Sequence, residues 1–207
     1  YERLRHGYKC SCPAPWAGAF AAIRDVQAGS SVAAIAGDLV DCETMFAAKA
    51  LLRAMGSSLL EGRQSGLAYA TSSLSAVNFN TTIAGIETAD AVLLVGSNLR
   101  HEVPLLHHRV RQAWKRGAKV YVVNPVDFEF TFDSEDKAIV APSQTAATLQ
   151  VAELGDALRG AKHAAIIVGA QAEASAHAAD IRKAATALAS STGASLCRIP
   201  QGANALG

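Results

Sequence analysis

The 207-residue sequence has few cysteines, few aromatic residues and almost no net charge. Its four cysteines are Cys10, Cys12, Cys42 and Cys197, and no two of them form a Cys-x-x-Cys pair. An iron–sulfur cluster takes four thiolates at suitable spacing, so no such cluster is expected within these residues. A disulfide framework is not expected either, because disulfides staple small secreted domains that have little core. We therefore expect reduced thiols in a cytosol-like compartment.

The charge and the hydropathy pattern exclude two further classes of protein. A formal net charge of +1 provides no field that would draw in nucleic acid. No apolar run reaches the roughly 18–20 residues that a membrane-spanning helix requires. The chain lacks an initiator Met and its two ends look like cut points, so we expect it to be part of a longer protein.

The main pattern of the sequence is a set of three apolar runs that each end in Gly, over residues 31–37, 91–96 and 164–169. Continuous runs of β-branched and aliphatic residues are typical of parallel strands that are buried on both faces. Further strands are predicted over residues 118–123, 138–140 and 194–197.

Helices are predicted between these strands. The first spans residues 42–55, with Asp41 as its N-cap and Gly56 just after its end. Alternating strands and helices predict an α/β fold with mainly parallel sheets, in which every strand–Gly–helix turn lies at one edge of its own sheet. Ligands bind at that edge in open α/β sheets. Further helices are predicted over residues 103–116, 144–158 and 174–190.

Three segments, residues 32–43, 80–104 and 109–120, carry a more specific signal. Over these ordered and correctly separated segments the sequence resembles the large iron–sulfur subunit (75 kDa type) of NADH:quinone oxidoreductase, respiratory complex I. The resemblance covers residues 14–150 well and the last third only in outline. It implies that the chain is a fragment of that subunit. The fragment comes from the region that is similar to molybdopterin oxidoreductases of the formate dehydrogenase type.

The resemblance implies a domain organisation with two Rossmann-like lobes and mainly parallel sheets. In the molybdopterin enzymes one lobe is inserted into the other. By that analogy, residues 1–65 plus 151–207 are expected to form a discontinuous first lobe, and residues 66–150 the inserted lobe.

The resemblance also points to candidate site residues. Molybdopterin enzymes carry a Gly-x-Asn-Pro turn that contacts the nucleotide part of the pterin cofactor. The matching residues here are Gly96, Ser97 and Asn98, followed by Leu99 in place of Pro, and we interpret them as a vestigial nucleotide turn. By the resemblance, the metal-binding residue of the active enzymes would fall near Ser65. We expect no metal ligand in this chain, and Ser65 as a ligand is the weaker alternative. For phosphate binding at the glycine-ended turns, and for Ser65 as a metal ligand, a plain turn is the favoured interpretation.

Four further residues invite a metal hypothesis: His101, Glu102, His107 and His108. A His-Glu-x-x-His helix needs its second His at position 105, which is Leu105. His107 and His108 are adjacent, so they point about 100° apart on a helix. A solvated helix face is therefore the favoured interpretation, and no catalytic residue and no metal ligand are assigned.

Basic residues lie on the predicted helix over residues 103–116 and just before its start. Two interpretations of this basic face stay open, a solvated face or a contact with a neighbouring subunit. Its members are Arg100, Arg109, Arg111, Lys115 and Arg116.

The resemblance implies a function as well. The chain is expected to be a structural part, cofactor-less and not catalytic alone, of the oxidoreductase that passes electrons from NADH to quinone. Iron–sulfur clusters are expected in an N-terminal portion of the full subunit that these residues do not include. The expected partners are other subunits of complex I, with no nucleic acid and no direct membrane span.

The expected location is the cytoplasmic face of the bacterial inner membrane, or the mitochondrial matrix side. Two alternatives stay open at this point. One is a fragment of an active molybdopterin-dependent oxidoreductase, which would need a pterin dinucleotide. The other is a nucleotide-binding module like the middle domain of thiamin-diphosphate enzymes, whose strand-and-turn pattern residues 89–96 approximate.

Overall fold

The computed structural model describes residues 7–9, 12–27, 32–37, 39–62 and 77–202. The chain divides into two units, which are described separately. The first is Tyr1–Ser65 with Gly202–Gly207, and the second is Gly66–Gln201. Cys10 and Ser65 lie outside the described residues.

The first unit contains two small sheets of two strands each. In one sheet, β1 and β2 are antiparallel, and α1 follows β2. In the other, β3 and β4 are parallel and α2 is the crossover between them. The bounds are β1 Gly7–Lys9, β2 Cys12–Ala14, α1 Trp16–Gln27, β3 Ala34–Ile35, α2 Cys42–Ala54 and β4 Leu60–Glu61.

The caps of α2 are those that the sequence predicts. The Asp41 carboxylate accepts a hydrogen bond from the backbone N–H of Thr44 at 2.6 Å. Thr44 also lowers the pKa of Asp41, because its hydrogen bond favours the charged carboxylate. Gly56, just after the helix, has a φ of +76°, a conformation that costs glycine little.

The second unit is built on a five-stranded sheet in which every neighbouring pair is parallel. From edge to edge the strand order is β7-β6-β5-β8-β9. The first strand along the chain is therefore central, and later strands are added on both sides of it. The bounds are β5 Ala91–Val95, β6 Lys119–Asn124, β7 Asp136–Ile139, β8 Ala164–Val168 and β9 Ser195–Arg198.

Helices cover both faces of this sheet. Alternate residues of β5 point to opposite faces, so Leu93 packs with Leu158 and Ile181 on one side. Leu94 packs with Val110 on the other side. The helical bounds are a 3-10 helix Ala84–Thr88, α3 Leu99–Glu102, α4 Pro104–Lys115, α5 Pro142–Thr148, α6 Ala152–Arg159, α7 Ala170–Glu173 and α8 Ala178–Thr192.

Residues 151–201 do not group as the predicted division of the chain into lobes has it. Strand β8 pairs directly with β5, with Ala91 opposite Ala164. Residues 151–201 therefore belong with residues 66–150 and not with residues 1–65. The physical reason is that all five residues of β5 are buried, and such a strand needs neighbours on both of its edges.

Two predicted helices are corrected by the structure. The single helix expected over residues 144–158 is divided into α5 and α6, because Val151 between them has an extended backbone with a ψ of 134°. The helix expected from residue 174 begins at Ala178 instead. The Ser175 hydroxyl accepts from the N–H of His177 at 3.0 Å, and this local turn competes with the helix. Strand β3 is also shorter than the predicted run over residues 31–37.

Within the described part of the chain, no helix has both the length and the apolar character needed to cross a membrane.

Candidate functional site at the switch point of the sheet

The strand order places the three candidate residues at the point where ligands bind in doubly wound sheets. The chain passes from β5 to β6 and then to β7 on one side of β5, and it then returns to form β8 on the other side of β5. The direction in which strands are added to the sheet therefore reverses between β5 and β8. Such a switch point opens a crevice at the carboxyl ends of the strands. Gly96, Ser97 and Asn98 follow β5 there, and Gly169 follows β8. The predicted edge location of this turn is thus confirmed.

Two glycines allow the turns after β5 and β8 to approach each other closely. Gly96 has a φ of +53°, and a Cβ on it would lie 2.5 Å from the backbone nitrogen of Ala172. A Cβ on Gly169 would lie 2.4 Å from the Cβ of Ser97. The Gly96 carbonyl also accepts from the N–H groups of Gln171 at 3.0 Å and Ala172 at 3.2 Å. The crevice is therefore filled at this level by backbone.

Asn124, at the end of β6, holds the turn from the other side. The Ser97 N–H donates to Asn124 Oδ1 at 2.9 Å, and Asn124 Nδ2 donates to the Ser97 carbonyl at 3.0 Å. Both residues are fully buried. In the sequence, Asn124 comes directly after the strand predicted over residues 118–123, and no role was assigned to it. Its position after an apolar strand, at the edge where turns meet, was the signal for this role.

Replacing Asn124 by alanine is expected to destabilise the protein by about 2 kcal/mol, because it leaves a buried N–H and a buried carbonyl of Ser97 without partners. Urea unfolding of wild type and variant measures this difference. The matched control is Gln150→Ala, which removes an exposed amide and is expected to stay within about 0.5 kcal/mol of wild type. Equal effects of the two substitutions would contradict the assigned role of Asn124.

Glu102, the last residue of α3, turns back onto this edge. Its Oε1 accepts from the N–H of Asn98 at 2.6 Å, and its Oε2 accepts from the N–H of Ala170 at 2.9 Å. The Ser97 hydroxyl lies 3.4 Å from Oε2. One carboxylate therefore joins the turn after β5 to the start of α7. The sequence had raised Glu102 only within a metal hypothesis.

The backbone N–H groups at the switch point thus already donate hydrogen bonds to acceptors within the chain. Each of the following donates its N–H to another part of the same chain: Ser97, Asn98, Ala170, Gln171 and Ala172. Phosphate-binding crevices depend on N–H groups that point at the ligand. This edge has such groups, but they already have acceptors.

A buried ion-pair cluster lies at the same edge, beside β9. Arg198 donates from Nε to Glu173 Oε1 at 2.7 Å and from Nη2 to Oε2 at 2.5 Å. Arg182 donates from Nη1 to Oε2 at 2.9 Å. Glu173 is 1% exposed and Arg198 is 3% exposed, so the pair is desolvated and bidentate. The cluster fixes α7 against α8 and β9.

The four residues of the metal hypothesis are not brought together. Among the described residues, no group of three or more His, Cys, Asp or Glu side chains is arranged to hold a metal ion. His107 faces the core, where its Nε2 lies 2.9 Å from the Thr131 hydroxyl and its ring packs against Phe132. His108 is exposed and contacts Gln112. The loop between β6 and β7, which carries Thr131, is therefore partly buried.

Burial lowers the pKa of His107, and the charges of Arg100, Arg111 and His108 lower it further. The folded protein therefore binds a proton less readily at this residue than the unfolded chain does. Stability from this group is complete above the ordinary pKa of 6.5 and decreases as the pH falls through it.

We expect the free energy of unfolding to decrease between about pH 7 and pH 5.5, and His107→Gln to reduce this dependence. Urea unfolding across that range measures the slope. The exposed His163, replaced by glutamine, is the control and is expected to keep the wild-type slope. A His107→Gln variant with the wild-type slope would contradict the assignment.

Most of the basic face is used inside the chain. Arg109 and Arg116 both pair with Glu87. Hydrogen bonding from Arg109 lowers the pKa of Glu87. Arg111 donates to the Thr131 carbonyl at 3.2 Å. These residues fasten the 3-10 helix and the loop to α4, which favours an internal role over a subunit contact.

The family model of molybdopterin oxidoreductases matches residues 12–204. This match covers most of the chain and agrees with the parallel α/β fold. The chain belongs to the molybdopterin oxidoreductase family.

Within that family, the chain is similar to one kind of subunit. It is 36% identical over 138 residues to the G subunit of NADH-quinone oxidoreductase from Rickettsia felis, covering 67% of this chain and 21% of the relative. The corresponding protein of Rickettsia prowazekii is 32% identical over 176 residues, covering 82% and 26%. The mitochondrial NADH-ubiquinone oxidoreductase 78 kDa subunit of Neurospora crassa is 37% identical over 148 residues, covering 68% and 19%.

The resemblance seen in the sequence is confirmed by these relatives. The alignments span about a fifth to a quarter of the length of each relative. A solved structure, the formyltransferase/hydrolase complex of Methylorubrum extorquens with methylofuran, has a TM-score of 0.57 at 19% identity. It covers 90% of this chain and 58% of that one, and the likeness concerns the fold alone.

Proposed function

We propose that this chain is a structural, cofactor-less part of the large iron–sulfur subunit of NADH:quinone oxidoreductase. It supports electron transfer from NADH to quinone in the complete complex and is not catalytic alone. The observation that carries the proposal is that the backbone N–H groups at the switch point already have acceptors within the chain. Asn124 accepts a hydrogen bond from the N–H of Ser97, and Glu102 accepts one from the N–H of Asn98. Relatives named as subunits of this oxidoreductase support the assignment.

The proposal extends to the setting of the chain. Its partners are other subunits of the complex, and it lies in a peripheral part of that complex. The chain lies on the cytoplasmic side of the inner membrane in bacteria, or on the matrix side of the inner membrane in mitochondria. The iron–sulfur clusters belong to other parts of the full subunit. Gly96, Ser97 and Asn98 are a vestigial nucleotide turn that binds no cofactor.

The family name implies a molybdopterin, and the residues at the switch point do not fit one. A nucleotide phosphate at the turn would need the N–H groups of Asn98 and Ala170, which donate to Glu102. A carboxylate at that position would also repel the phosphate. We therefore derive no step through a pterin and no reaction at this site.

The strand order favours a second candidate function, a nucleotide-binding module, because doubly wound sheets of this order bind nucleotides at the switch point. Calorimetric titration of the chain with NADH tests it. We expect no saturable heat, since the donors are committed. Tight, saturable binding would favour the module over the structural role.

The structural role is tested in the complete oxidoreductase with Glu173→Ala, a substitution in the buried ion-pair cluster. We expect less assembled complex, and unchanged NADH:quinone turnover for each complex that does assemble. Exposed Glu129, replaced by alanine, is the control and is expected to leave assembly unchanged. Normal assembly with slower turnover would contradict a structural role.

Elemental analysis of the same purified complex tests the absence of a metal–pterin. We expect no stoichiometric molybdenum. A molybdenum-containing formate dehydrogenase, purified in parallel, controls for loss of the metal. One molybdenum per complex would overturn the proposal and favour an active molybdopterin-dependent oxidoreductase.

A further inference from the structure

We propose that the Glu102 carboxylate is the resident anion of the switch-point crevice. It occupies the hydrogen-bonding position that a ligand phosphate takes in nucleotide-binding sheets of this order, and so keeps the crevice closed. The inference rests on the proposed cofactor-less function and goes further, because it assigns the closure to one side chain. Glu102 is a positioning residue in this account.

The two oxygens of the carboxylate divide between two crossover connections. Oε1 accepts from Asn98, in the turn after β5, and Oε2 accepts from Ala170, in the turn after β8. These positions are 72 residues apart in numbering. A single anion therefore closes the crevice by bridging its two walls.

The chemistry of the donors matches that of a phosphate site. In Rossmann sheets the pyrophosphate lies against backbone N–H groups of the first strand–helix turn, and β5 is the first strand of this sheet. A carboxylate oxygen and a phosphate oxygen accept the same charge-assisted hydrogen bonds. The Ser97 hydroxyl beside Oε2 adds a third polar contact.

The glycines explain why the closure is tight. Gly96 and Gly169 bring the two turns within van der Waals contact, with no room for a Cβ on either residue. The carboxylate lies where the turns meet, and it connects their backbones by hydrogen bonds. The backbone approach narrows the crevice, and the Glu102 carboxylate accepts the N–H groups of Asn98 and Ala170 at its walls.

The test uses Glu102→Ala and Glu102→Gln, followed by amide hydrogen exchange at Asn98 and Ala170 in NMR spectra. Loss of charge-assisted hydrogen bonds is expected to speed exchange at these two amides by roughly 10- to 100-fold. Glu129→Ala is the control and should leave both rates unchanged. Glu102→Gln preserves the shape of the side chain, so it provides the measurement if the alanine variant fails to fold.

Chemical rescue separates an anion from a space-filling group. Acetate, which matches the part of the side chain deleted beyond Cβ, is expected to restore the Asn98 and Ala170 amide shifts in Glu102→Ala. Acetamide, its neutral counterpart, is expected not to. Unchanged exchange in the variants, failure of acetate, or equal rescue by acetamide would each overturn the proposal.

Failure of this inference is distinguishable from failure of the proposed function. Saturable binding of NADH by the wild-type chain would oppose the cofactor-less role. The exchange and rescue measurements use no nucleotide, so they report on the Glu102 carboxylate alone.

Discussion

Replacement of Glu173 by alanine is expected to lower the free energy of unfolding by about 3–5 kcal/mol, the typical cost of breaking a buried ion pair. The Arg198 guanidinium is 3% exposed and donates to both oxygens of this carboxylate. The variant leaves that positive charge in the interior without the two acceptors. Arg182 loses the same carboxylate. Urea unfolding, monitored by circular dichroism, measures the change.

A double-mutant cycle tests whether this effect belongs to the pair. Glu173→Ala and Arg198→Ala are each expected to be strongly destabilising, and the double variant is expected to cost less than the sum of the two. The coupling energy should be on the order of 2–3 kcal/mol. If the double variant costs as much as the two single variants together, the loss of stability does not come from the ion pair between Glu173 and Arg198. Glu129→Ala, at an exposed position, serves as the control for loss of a carboxylate.

The substitution Gly96→Ala is expected to cost about 2–5 kcal/mol, because two unfavourable effects coincide. The residue has a φ of +53°, which is strained for alanine, and this strain costs about 1–2 kcal/mol. Its new Cβ would also lie 2.5 Å from the backbone nitrogen of Ala172, so α7 must move. Overpacking of this kind costs about 1–3 kcal/mol.

Two matched variants separate these effects. Gly193 has a φ of +74° with nothing within 4 Å of a new Cβ, so Gly193→Ala measures the strain alone. Gly169 has a φ of −106°, and its new Cβ would lie 2.4 Å from the Cβ of Ser97, so Gly169→Ala measures the close contact alone. Urea unfolding should rank Gly96→Ala as the most destabilising. A cost equal to that of Gly193→Ala would show that the two turns are not in contact.

Much of the second unit was predictable because its strands are buried on both faces. Residues 91–96 and 164–169 are continuous apolar runs, and both form central strands of the sheet. The caps of α2 were predictable from Asp41 and Gly56, since capping depends on local backbone geometry. These features are encoded within a few residues of one another.

The lobe division was not predictable in this way. Which strand lies beside β5 depends on pairing between residues more than seventy positions apart. The sequence shows that β5 needs two neighbours but does not name them. The analogy with an inserted lobe assigned residues 151–201 to the wrong lobe, because fold-level analogy carries no information on pairing in this chain.

The candidate turn was found from sequence, but the groups that fill it were not. Gly96, Ser97 and Asn98 were located by resemblance. Glu102 bonds to Ala170, which is 68 residues away, and no local pattern indicates that contact. Arg198 gave a clearer signal, since a lone charge that ends a buried strand requires a partner.

We infer that backbone and side-chain groups of this protein, and not a nucleotide, occupy the switch point of the sheet. The most direct test is an NMR titration of the wild-type chain with inorganic pyrophosphate, following the amides of Asn98 and Ala170. We expect these two amide signals to stay unchanged at every pyrophosphate concentration. Saturable shifts of both signals would contradict it.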